Sequence, residues 1–187
     1  MEFMPTVVSL VLLLLVVTSA TGQDRLQSPY RHQAESGLRG LNAGEIAELR
    51  AGTGIGLARA AERNGYPGPR HVLDAVQASQ FQAPPEQVQR VQEIFDGMNR
   101  DALRGGAPIL EEEQHLEAAF HSATITDADL RARVMRIAEL RGELRAIHLR
   151  AHLATRATLS DAQVARYNEL RGYTTPQTDH QGQPHRR

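Results

Sequence analysis

Cysteine, lysine and tryptophan are absent from the 187 residues, and aromatic residues make up only 4% of them. Without cysteine the fold contains no disulfide, and thiol catalysis, iron–sulfur clusters and cysteine-type zinc sites are excluded. Without lysine there is no P-loop lysine and no Schiff-base chemistry; all 21 basic residues are arginine. With so few aromatics the core has to be built from Leu, Ala, Val and Ile, a composition suited to packed helices rather than to a β-sandwich. Charge of one sign is also lacking: 21 basic residues face 22 acidic ones. No large basic field for nucleic acid follows from that balance, although eight histidines would make the chain cationic in mild acid.

What is present begins with an apolar run from Val7 to Val17, relieved only by Ser9 and followed by the small residues Thr18 to Gly22. The run is about half the roughly 20 residues a membrane-spanning helix needs, and it reads as a secretory signal peptide over residues 1–22. Cleavage after Ala20 or after Gly22 satisfies the small-residue rule, and a periplasmic location follows. The preceding segment carries Glu2 and no basic residue, so an uncleaved membrane anchor is the alternative. Residues 23–41 are polar, contain Pro29, Gly37 and Gly40, and show neither helical nor strand periodicity; they read as a flexible leader. Residues 174–187, with Pro176, Pro184, His180 and His185 and no aliphatic side chain, read as a disordered polar tail.

Residues 42–173 carry helical patterns. Asn42, with Glu45 three residues on, predicts a capping box opening a helix that continues to about Arg63, weakened by Gly52, Gly54 and Gly56. The run from Asn64 to Pro69 ends it, and Pro69 opens a short helix with Val72, Leu73 and Val76. Pro84-Pro85 starts a third, in which Val88, Val91, Phe95, Met98 and Ala102 form a stripe; Gly105 to Pro108 predicts a kink or split before Ile109, Leu116 and Phe120. Thr126 or Asp127 caps the fourth, whose Leu130, Val134, Ile137, Leu140, Leu144, Ile147 and Ala151 make the most regular stripe in the chain. Ser160 caps a fifth, short helix that Gly172 stops. The expected fold is all-α, about four to five helices, the long ones bent and antiparallel in an open hairpin or bundle. Thin apolar stripes bury more area when two copies pair, so a homodimer is expected.

Leu159-Ser160-Asp161-Ala162-Gln163 matches a Leu-Thr/Ser-x-x-Gln signature, and Ala83-Pro84-Pro85-Glu86-Gln87 looks like a degraded first copy that keeps Gln87. With the stretch Gly54 to Glu62, the turn Asn64 to Pro69 and the ending Tyr167 to Tyr173, residues 42–173 resemble the Spy/CpxP family of periplasmic chaperones and related heavy-metal sensor or resistance proteins. The resemblance implies a small dimer of bent helices that binds unfolded or misfolded envelope proteins without ATP, or that monitors envelope stress, with a membrane-bound sensor as a further partner. In physical terms the signature is a helix start, with the Ser160 hydroxyl accepting from a first-turn N–H and Gln163 reaching back, and capping accounts for both residues.

Arg133, Arg136 and Arg141, with Arg131, Arg145 and Arg150, stud the fourth helix around its stripe. Guanidinium groups mixed with aliphatic side chains make a surface able to hold varied chains. The competing reading is a solvated face with ion pairs to Glu139 and Glu143. His148 and His152, four apart on one helix, could chelate zinc, copper or nickel, with His71, His115, His121 or Glu113 completing a site; the plainer reading is two structural or exposed histidines. Gly52-x-Gly54-x-Gly56 follows no strand, Glu111-Glu112-Glu113 reads as a solvated charge run, and no hydrolase or metalloprotease motif occurs. No catalytic residue is assigned, no enzymatic activity is expected, and no cofactor is required.

Overall fold

In the computed structural model, the structure describes Ser28, Tyr30 and residues 38–173. The proposed signal peptide, most of the leader and the tail lie outside the described residues. The chain divides into residues 1–35 and residues 36–187. In the first unit, the Tyr30 N–H donates to Ser28 Oγ at 3.1 Å. The second unit holds six helices, α1 (Ala43–Ala51), α2 (Arg59–Glu62), α3 (Pro69–Gln77), α4 (Pro85–His121), α5 (Asp127–Thr158) and α6 (Asp161–Arg171), and no strand among the described residues. None of these helices is long and apolar enough to cross a membrane.

The caps follow from the sequence. Asn42 accepts from the Glu45 N–H at 2.9 Å while Glu45 accepts from the Asn42 N–H at 2.9 Å, the reciprocal box that fixes the start of α1. Thr126 caps α5, Pro69 opens α3, and Gly172 ends α6 in the left-handed conformation.

Three expectations are corrected. The first helix stops at Ala51 instead of running to Arg63, because Gly52 adopts φ +66 and ends α1, leaving a loop before the single turn of α2. Of the kink or split expected in the third helix, the split does not occur: α4 continues as one helix through Gly105 to Pro108. Its glycines permit contact that a larger residue would block, since a Cβ on Gly106 would lie 2.6 Å from the Leu49 carbonyl oxygen of α1. Burial of Ala102 and Ile109 on either side of the glycines holds α4 together there despite the proline's missing donor. Leu38 and Leu41, placed in the leader by composition, are buried in the core.

The helices α4 and α5 are antiparallel: Gln87, at the start of α4, meets Thr158 at the end of α5, and Glu112 pairs with Arg133 near its start. Two separate cores form along this pair. One joins Leu38, Leu41 and Leu49 to Ala102 and Ile109 of α4 and Leu140 and Leu144 of α5. The other joins Val72 of α3, Phe81 and Val91 to Leu159, Val164 and Tyr167. Between them α4 contributes Phe95, Met98 and Asn99 and α5 contributes His148 and His152, and a cavity opens in this interval.

Candidate functional site: a histidine-lined cavity and the hairpin end

The gap between the cores is a cavity of about 550 Å³, within the usual range for small-molecule sites. Its roof is the glycine-rich loop from Gly52 to Gly56, and its floor is Phe95, Met98 and Asn99. One wall is the start of α3, from Gly68 to His71, and another is His148 and His152. Arg59 and Glu62 close it from α2. In the loop Ile55 has φ +45, a left-handed conformation rare for a β-branched residue and costly by about 1–3 kcal/mol. The packing of Ile55 against the first core holds it there.

His148 and His152 share this cavity, as their spacing on one helical face predicts. Neither is exposed: His148 is 3% and His152 7% accessible. The His152 Nδ1–H donates to the Tyr66 carbonyl at 2.7 Å, which leaves Nε2 as the ring nitrogen outside that bond. The ring of His148 lies beneath Gly54, and its Nε2 is sealed from solvent without a hydrogen-bond partner. Burial, and then the neighbouring His152, pull the His148 pKa below the ordinary histidine value. Of the proposed companion ligands, His71 lines the same cavity, whereas His115, His121 and Glu113 do not. Among the described residues no three His, Asp or Glu side chains are grouped to hold a metal ion.

A network with no local sequence signal braces one side. Glu62 accepts from Arg171 Nε at 3.0 Å and Nη2 at 2.7 Å and from the Tyr167 hydroxyl at 3.3 Å. That hydroxyl also accepts from the Gly68 N–H at 3.3 Å, tying α6 to the start of α3. Burial works to raise the Glu62 pKa, but the Arg171 guanidinium outweighs it and the carboxyl is held below its usual range. His71 is shifted down by burial and by Arg171, whose Nη2 lies 3.4 Å from its Nε2. Burial drives the Tyr167 phenol well above its ordinary value.

The signature residues meet at the opposite corner. Ser160 and Gln163 form the predicted capping box of α6, with Gln163 N–H to Ser160 Oγ at 3.2 Å and Ser160 N–H to Gln163 Oε1 at 3.0 Å. Gln163 does more than cap. Its amide exchanges hydrogen bonds with that of Gln87 at 2.7 and 3.0 Å and donates to the Gln82 carbonyl at 3.1 Å. Gln87 also donates to the Thr158 carbonyl, and Leu159 is buried in the second core. The two signature copies thus clamp the start of α4 to the junction of α5 and α6.

The three singled-out arginines are all paired. Arg133 reaches Glu112 at 3.8 Å and Arg141 reaches Glu113 at 3.1 Å, so the supposed solvated acidic run supplies two bridges from α4 to α5. Arg136 pairs with Glu139 on its own helix at 2.6 Å. Arg131, Arg145 and Arg150 have no carboxylate partner among the described residues. Nearby, two residues of the expected apolar stripes, Phe120 and Val134, open to solvent, as does Met135, which belongs to neither stripe. Phe120 is 55% exposed on the last turn of α4, and Val134 and Met135 are 46% and 63% exposed near the start of α5. They occupy the end of the hairpin beyond Ile109 and Ile137, past which no further helix covers the pair among the described residues. No protein-family model, curated protein or solved structure matches this chain.

Proposed function

We propose that this chain is a non-enzymatic binding protein of Spy/CpxP type that works in the periplasm, holding partly unfolded envelope proteins without ATP or modulating the response to them. The observation that carries this reading is the exposure of Phe120, Val134 and Met135 at one end of the α4–α5 pair, with the exposed Arg131 three and four positions before Val134 and Met135 on α5. Large apolar side chains on a soluble surface cost solvation free energy unless something covers them, and aliphatic groups interspersed with guanidinium accommodate many sequences. A second copy of the chain covering part of this surface at rest, and a membrane-bound sensor reading its release, complete the proposal. The test is light scattering of a chemically denatured model client diluted with and without a stoichiometric amount of the protein. Suppressed scattering is expected; unchanged scattering would remove the chaperone reading.

The same scaffold supports a second reading, a heavy-metal sensor or resistance protein using His148 and His152 for zinc, copper or nickel. Its support is the hydrogen bond from His152 to the Tyr66 carbonyl, the outer contact that orients a ligating imidazole, and the lack of any partner on His148 Nε2. Calorimetry with each ion is expected to give affinity that disappears in a His148→Ala, His152→Ala double variant. Affinity unchanged by those substitutions would end this reading.

A further inference from the structure

The chain carries one asparagine followed by glycine, Asn64-Gly65, and one aspartate followed by glycine, Asp96-Gly97. A side-chain carbonyl carbon in such a pair is open to attack by the following backbone nitrogen, because glycine places no side chain over that nitrogen. The fold treats the two pairs differently. Asp96-Gly97 lies inside α4, where the Gly97 amide belongs to the helix ladder and cannot turn toward the preceding side chain without breaking it. Asn64-Gly65 lies in the turn between α2 and α3, outside any helix, with Gly65 in the left-handed region at φ +78.

Hydrogen bonding leaves the reacting nitrogen of this turn free. The N–H groups of Asn64 and Tyr66 both donate to the Ala61 carbonyl, at 3.0 and 3.1 Å, and the Gly65 N–H between them has no acceptor among the described residues. Asn64 is exposed, so water and hydroxide reach it. Its side-chain Nδ2 donates to the Ala60 carbonyl at 2.7 Å, a bond that engages the nitrogen that leaves and not the carbon that is attacked. The other asparagines are followed by larger residues: Asn42 by Ala43, Asn99 by Arg100 inside α4, and Asn168 by Glu169 inside α6.

We infer that Asn64 is a modification site at which the chain deamidates itself, with water as the only co-reactant. The Gly65 nitrogen gives up its proton and bonds to Asn64 Cγ; the Cγ–Nδ2 bond breaks and ammonia leaves with that proton, closing a succinimide ring. Water then opens the ring. Attack at the side-chain carbonyl gives aspartate, and attack at the main-chain carbonyl gives isoaspartate, in which the backbone runs through Cγ. Both products exchange the donor facing the Ala60 carbonyl for a negative charge beside Arg59 and Arg63. Isoaspartate also adds a backbone atom just ahead of Tyr66, whose carbonyl holds the His152 ring at 2.7 Å, so the modification reaches the wall of the cavity.

The test incubates the full chain in heavy-oxygen water at mildly alkaline pH, folded or unfolded in urea, and follows each asparagine and aspartate by peptide mapping with mass spectrometry. The folded protein is expected to take up heavy oxygen at Asn64 as a mixture of aspartate and isoaspartate. Its rate should lie within about tenfold of that in urea, an added barrier below about 1.4 kcal/mol. Asn99, Asn168 and Asp96 should react at least about a hundredfold more slowly than Asn64 while folded. Asn64→Gln, whose longer side chain closes a ring far more slowly, should remove the uptake. An Asn64 that stays intact in the folded protein while reacting in urea would overturn the inference. So would uptake at Asp96 in step with Asn64, because modification would then proceed only from unfolded molecules. For the link to the cavity, aged protein should show a second His152 ring signal by NMR that the Asn64→Asp variant, with the charge but not the extra atom, lacks; a single unmoved signal would overturn that link.

Discussion

Alanine substituted for two helical glycines should shift stability in opposite directions. Gly142 is exposed on α5, and a Cβ there meets nothing within 4 Å. Replacing an exposed mid-helix glycine by alanine recovers the propensity difference, so Gly142→Ala should stabilise by about 1 kcal/mol. Gly106 on α4 has the same propensity to gain but no room: its Cβ would sit 2.6 Å from the Leu49 carbonyl oxygen, about 0.8 Å inside the 3.4 Å where ordinary contact begins. The obstructing atom is backbone, so relief requires α1 to move off α4. That disturbs Leu49, which is 2% exposed and belongs to the first core. Overpacking against backbone falls in the upper part of the usual range, about 2–3 kcal/mol, and with the propensity gain of about 1 kcal/mol subtracted Gly106→Ala should lose about 1–2 kcal/mol. The two variants should therefore differ by about 2–3 kcal/mol. Urea unfolding followed by circular dichroism at 222 nm measures the difference, provided the slopes agree. A Gly106→Ala protein as stable as Gly142→Ala would refute the close approach of α1 to α4.

Three further outcomes follow from the site. Gln163→Ala removes its bonds to Ser160, Gln82 and Gln87 together and should cost about 1–3 kcal/mol, more than the roughly 1 kcal/mol expected for Ser160→Ala, where only the cap is lost; equal costs in urea unfolding would mean the clamp contributes nothing. Tyr167→Phe keeps the ring in the second core but takes the hydroxyl from Gly68 and Glu62, for an expected loss of about 1 kcal/mol; an unchanged unfolding midpoint would contradict that bracing role. The folded-state pKa of His148 lies below the ordinary value, so well above about pH 6.5 both states are neutral, and as pH falls through that value the unfolded chain takes up the proton first. Stability is accordingly expected to fall from about pH 7.5 to 5.5, and His148→Leu should flatten that slope; an unaltered slope would exclude His148 as a source.

The local rules were readable in the chain. Asn42, Thr126, Ser160, Pro69 and Gly172 mark helix ends by hydrogen-bonding or dihedral needs that involve only residues a few positions away, and each end stands where those needs place it. What depends on distant partners was not. The same loss of propensity attaches to Gly52 and Gly106, yet Gly52 ends a helix and Gly106 sits inside one, and the difference lies in the packing of α1 against α4. Val134 continues the periodic stripe of α5 but faces solvent, because periodicity defines a face and not what covers it. The spacing of His148 and His152 put them on one face; their burial depends on a roof and walls drawn from α1, α2 and α3. The Glu62–Arg171 and Gln87–Gln163 pairs join residues 109 and 76 positions apart, and nothing local marks them.

The central claim is that the open end of the α4–α5 pair holds non-native chains, and Leu153 provides a control because it is 56% exposed on α5 but near the opposite end. Suppression of client aggregation, measured by light scattering, should be lost in a Phe120→Ser, Met135→Ser protein of unchanged helicity and retained in Leu153→Ser. Full suppression by the double variant, or equal loss in both proteins, would contradict the account.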